Sequence, residues 1–184
     1  MSNTDTIHVE STVSAVSTEP NVLISWEETT GIISATDARK RAFALIQAIA
    51  MAQTEGGIFK TLAPDMKPKG FGKVTLSKQE DMAVSVLRLI RDARAPLPPG
   101  IEPIFGYNTQ KPLIKYKWGD REGTLELDTA RHHAQVLLEC ALSAETDSFF
   151  YKFCDSQNLD KQIAEDILRE FALFRQQNWF EGLL

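Results

Sequence analysis

The segment that most restricts the fold is Ser34–Ala52, "SATDARKRAFALIQAIAMA". Ser34 can accept from a free amide of a first helical turn, and Asp37 three residues on completes a pattern close to a capping box. Ala38, Ala42, Leu45, Ile46, Ile49 and Ala52 then recur at helical spacing, so one face must be buried against something else. Gly56-Gly57 offers an exit, because glycine reaches the left-handed conformation that closes many helices. A second pattern of the same kind, Ser77 with Glu80, opens a helix carrying Met82, Val86, Leu89, Ile90 and Ala93 up to Pro96.

The C-terminal third is also helical by spacing. Ala130, Ala134, Leu137, Ala141 and Ala144 form one stripe behind a cap at Asp128 or Thr129. A further segment carries Phe149, Phe150 and Phe153. Asp160 opens the last helix, in which Ile163, Ile167, Phe171 and Phe174 are expected to face the core.

Strand signals are shorter. "VLISW" at 22–26 alternates apolar residues and precedes the turn chemistry of "EETTG". "PLIKYKWGDREGTLELD" reads as a β-hairpin at about 113–128, with Lys115 and Lys117 opposite Glu126. The expected fold is therefore α+β and mainly helical, with several long helices on a small antiparallel sheet that includes this hairpin. The 184 residues suffice for one sizeable core. Residues 1–20, rich in Ser, Thr and Val, are read as a flexible N-terminal tail and residues 21–184 as a single domain, with no internal repeat expected.

The chain has 20 basic and 25 acidic residues, a formal charge of −5, which argues against a surface that grips polyanions throughout. The longest mainly apolar run, 42–52, is about half of the ~20 residues that span a bilayer, so no membrane span is expected. The first twenty residues lack the basic start and apolar centre of a secretory signal, and a cytoplasmic location is expected. Cys140 and Cys154, the two cysteines, have neither disulfide-framework nor metal-knuckle spacing.

Candidate chemistry thins out under geometry. His132 and His133 are adjacent on a helix and point about 100° apart, so they do not form a metal pair, and His133 is expected as a hydrogen-bonded, partly buried imidazole. Cys140 lies two turns from His133, roughly 10 Å along the axis, too far for a nucleophile–base dyad. No catalytic residue, cofactor or metal ligand is assigned. An enzyme would need a pocket of converging polar groups around Tyr107, Asn108, Lys115 or His133.

"KGFGKVTL" at 69–76 resembles the ribonucleoprotein-1 strand of the RNA-recognition-motif family, where a basic residue and glycine precede aromatics that stack on unpaired bases. The resemblance covers residues 69–90 and implies phosphate contact by Lys69 and stacking by Phe71, with Lys73 and Leu76 standing where the family has aromatics. Between 56 and 100 there are eight basic and four acidic residues, a local +4. These features define an alternative function, single-stranded nucleic-acid binding through Lys69, Phe71 and Lys73. The leading reading is a non-catalytic interaction or regulatory module whose partner is another protein or a second copy. The interface is expected at the aromatic C-terminal segment, at Phe174, Trp179 and Phe180.

Overall fold

The computed structural model describes residues 6–14, 16–65, 77–106 and 109–181, with side chains described only as far as Phe174 in the last helix. The chain runs β1 (Ile7–Val13), β2 (Pro20–Trp26), β3 (Thr29–Ser34), α1 (Ala35–Leu62), α2 (Lys78–Ala93), β4 (Ile101–Gly106), β5 (Lys111–Trp118), β6 (Arg121–Glu126), α3 (Leu127–Ser156) and α4 (Lys161–Glu181). The architecture is α+β and mainly helical, with two three-stranded antiparallel meanders, β1-β2-β3 and β4-β5-β6.

Several local expectations change. Ile7–Val13, placed in a flexible tail, is strand β1 and pairs along its whole length with β2. α1 continues through Gly56-Gly57 to Leu62: neither glycine takes the left-handed conformation expected of an exit, and Gly56 is buried against Pro112. Ser77 and Glu80 do form the reciprocal capping box: the Ser77 amide donates to Glu80 Oε2 at 2.6 Å, and the Glu80 amide to Ser77 Oγ at 3.3 Å. α3 starts without a side-chain cap, at Glu126, and includes the phenylalanine segment in one 30-residue helix. On β5, Lys115 faces Thr124 rather than Glu126, and its ammonium reaches Glu122 at 2.9 Å.

The chain is an internal repeat, contrary to the sequence expectation. Adding 92 carries β1-β2-β3-α1 onto β4-β5-β6-α3. Pro20 maps to Pro112, Trp26 to Trp118, Gly31 to Gly123, Ala38 to Ala130, Ala42 to Ala134, Leu45 to Leu137 and Ala52 to Ala144. Strand register repeats too, since Val9 pairs with Ile24 as Ile101 pairs with Tyr116, and Val22 with Ile33 as Ile114 with Leu125. Even the turns agree: Thr18 and Gln110 share a positive φ of 53° and 55°, and Glu27 and Gly119 one of 51° and 56°.

The two halves exchange partners. α1 packs mainly on β4 and β5, α3 mainly on β1 and β2, and the two long helices pack on each other. Their contact faces are rich in small residues, with Ala38, Ala42, Ala48 and Ala52 on α1 and Ala130, Ala134, Ala141 and Ala144 on α3, which lets elements approach closely. The exchange is reciprocal at the sheets. The Trp118 ring lies over Gly31, where a Cβ would stand 2.9 Å from it, and the Trp26 ring lies over Gly123 at 3.0 Å. Glycine lets the opposite indole rest against the backbone at both positions, and a Cβ at either would push that ring aside. By length and hydropathy α1 is a helix that could cross a membrane, and half of that apolar window is buried inside the fold.

Candidate functional site

Two features stand out from this scaffold, a largely buried polar cluster where the halves meet and an apolar surface on the second helix of each half. The cluster centres on Tyr116, fully buried on β5. Its hydroxyl accepts from Arg41 Nε at 3.0 Å and lies 3.0 Å from His133 Nε2. A neutral imidazole with an unprotonated Nε2 lets the hydroxyl donate while it accepts from the guanidinium, whereas the buried indole N–H groups of Trp26 and Trp118 beside it find no acceptor among the described residues. The Arg41 guanidinium sits over the Tyr116 and Trp118 rings, 4.9 and 5.2 Å from their centroids, and also donates to the Lys117 carbonyl. Arg41 and His133 are equivalent positions of the two halves, so the repeat has been differentiated here into a cation and a neutral ring.

Burial holds the His133 imidazole neutral, lowering its pKa to about 4, with the Arg41 charge acting in the same direction. Desolvation likewise raises the Tyr116 phenol above its usual range. The expectation of a hydrogen-bonded, buried histidine agrees with this geometry. Cys140 donates to the Val9 carbonyl at 3.5 Å, and burial followed by the charges of Glu139 and Glu10 pushes its thiol up to about 11. Neither group is placed to act on a solvent-borne substrate, because each is tied into packing between the halves.

The apolar surface reverses the expected orientation of the last helix. α4 buries Ala164 and Leu168, whereas Ile163, Ile167, Phe171 and Phe174 are exposed. On α3, Leu142, Phe149 and Phe153 recur at i, i+7 and i+11 and are exposed as well, Phe149 at 72%. α2 shows the same inversion, burying Ala83 and Leu87 against Phe59 and Ala63 while Met82, Leu89 and Ile90 face outward. The small face docks and the large apolar face is presented, which periodicity alone does not distinguish.

Of the expected interface residues, Phe174 lies on this exposed surface. Trp179 and Phe180 belong to α4, but their side chains lie outside the described residues. Lys69, Phe71 and Lys73, the expected nucleic-acid contacts, also lie outside them, as do Tyr107 and Asn108. Among the described residues no group of three or more His, Cys, Asp or Glu side chains is placed to hold a metal ion. The chain matches no family model, no curated protein and no solved structure.

Proposed function

We propose that the protein is a non-catalytic interaction module that associates with a second copy of itself through the outward apolar faces of α2 and α4. The observation that carries this reading is the inversion just described: two amphipathic helices at equivalent places each present the larger of their apolar faces. Exposed apolar surface of this kind marks sites of association more often than isolated exposed residues do.

Charge permits a second copy as the partner. The segment 56–100, which contains α2, carries eight basic and four acidic residues, +4. The segment 127–184, which contains α4, carries five basic and ten acidic residues, −5. Within the helices themselves the balance is close to even, three basic and three acidic residues on α2 and three and four on α4, so an α2 face meets an α4 face of another copy without net like-charge repulsion.

Light scattering of the full chain tests the proposal. The wild type is expected to associate as concentration rises, and Ile163→Ser with Ile167→Ser to be a monomer with an unchanged thermal midpoint, since both residues are exposed, Ile163 at 51%. A monomeric wild type throughout, or an associating double variant, contradicts it.

A further inference from the structure

A second site lies away from these helical faces, where α2 ends and the chain turns into β4. The connection contains Pro96, Pro98 and Pro99, and with β4 and β5 it encloses a cleft of about 460 Å³, within the size range of small-ligand sites. Arg91, Arg94, Lys115 and Lys117 line it, together with Glu102 and Glu122.

The two arginines are fixed from behind by one carboxylate. Glu55, on α1 and only 2% exposed, accepts from Arg91 Nε and Nη2 at 3.1 and 2.5 Å, and from Arg94 Nη1 at 2.8 Å. Arg91 Nη2 also donates to the Pro103 carbonyl at 3.2 Å. One arginine is enough to neutralise Glu55, and α2 is already held to α1 by the apolar cluster of Phe59, Ala63, Ala83 and Leu87. A buried carboxylate also needs donors on its remaining lone pairs, and Arg94 meets that need with Nη1 alone.

Arg94 spends Nη1 on Glu55, while its Nε and Nη2 donate to no described residue. Those two atoms form the parallel-donor edge that matches a carboxylate or phosphate. Across the cleft Lys115 is paired with Glu122, whereas Lys117 has no ion-pair partner among the described residues. Four cations against Glu55, Glu102 and Glu122 leave a net charge of +1. The proline wall has no amide donors and fixed φ angles, so it offers a preorganised apolar surface.

We infer that this cleft binds a small organic monocarboxylate, its carboxylate on the open edge of Arg94 with Lys117 as the second cation, and its apolar body against the prolines. The site does not depend on self-association, because none of its residues belongs to the outward faces of α2 and α4.

The test is titration of the full-length protein with benzoate, inorganic phosphate and neutral benzamide, following arginine Nε–Hε resonances by NMR. Benzoate is expected to shift the Arg94 resonance saturably, and benzamide not to. Arg94→Lys, which keeps the charge but loses the fork, is expected to weaken benzoate binding about tenfold or more. Lys117→Gln, at an exposed position, is expected to weaken it without lowering the thermal midpoint. The absence of a saturable shift with benzoate, benzoate binding unchanged in both variants, or phosphate bound more tightly than benzoate would each overturn the assignment.

Discussion

Arg41 and His133 stand 92 residues apart at equivalent places, and both reach the Tyr116 hydroxyl. This makes His133 the residue through which stability should depend on pH. Its folded pKa, about 4, lies below the ordinary 6.5, so the folded protein binds fewer protons than the unfolded chain between those values. The stabilising contribution is whole above pH 6.5, shrinks as pH falls toward 4 and is constant below that. At about 1.36 kcal/mol per pKa unit, the difference amounts to ~3 kcal/mol. For a chain of this length that is a fall in thermal midpoint of roughly 6–12 °C. Melting curves from pH 7.5 to 4 check this: His133→Gln should remove that share of the decline, and a decline identical in both proteins would contradict it. The sequence made His133 readable as a buried imidazole through its place beside Leu137. It could not reveal Arg41 as a partner, since only the fold brings a residue 75 positions upstream onto Tyr116.

At the scale of elements, helices and hairpins were legible where a local rule governs them. The Ser77 box, the β5–β6 hairpin and the extent of hydrophobic spacing in α1 all follow from neighbours in sequence. β1 was read as tail although Ile7 and Val9 alternate with His8 and Glu10, because so short an alternation becomes a strand only through pairing with β2 and packing of α3 from the other half. The outward faces of α2 and α4 were missed for a related reason. Periodicity finds the larger apolar stripe, whereas the smaller Ala-Leu stripe is the one that fits the available space. The glycines Gly31 and Gly123 give a quantitative check on the exchange of sheets. Replacing either by valine pushes a side chain into the indole of the opposite half, a form of overpacking that should cost ~1–3 kcal/mol by denaturant unfolding. The variant at Gly123 should suffer at least as much, because Trp26 is buried whereas Trp118 is only partly so. A neutral effect at either would mean the indoles do not rest where the reciprocal packing requires.

The whole molecule behaves, on this account, as two equivalent halves fastened through one another. The repeat escaped the sequence reading because its shared residues, Trp26 with Trp118 and Pro20 with Pro112 among them, are sparse and its period is half the chain. A protease site inserted between the exposed residues Ala95 and Pro96 tests the fastening. After cleavage the two pieces should stay together in size-exclusion chromatography and separate only in denaturant, since each sheet is covered by the other half's long helix. Separation without denaturant would contradict the exchange.

Function rests on whether the outward faces of α2 and α4 recognise each other between copies. The most direct measurement is sedimentation velocity on two variants, Leu89→Ser with Ile90→Ser on α2, and Ile163→Ser with Ile167→Ser on α4. Each alone should be monomeric, and an equimolar mixture should form a dimer, because one partner keeps an intact α4 face and the other an intact α2 face. A mixture that stays monomeric while the wild type associates, or variants that associate alone, would contradict the pairing.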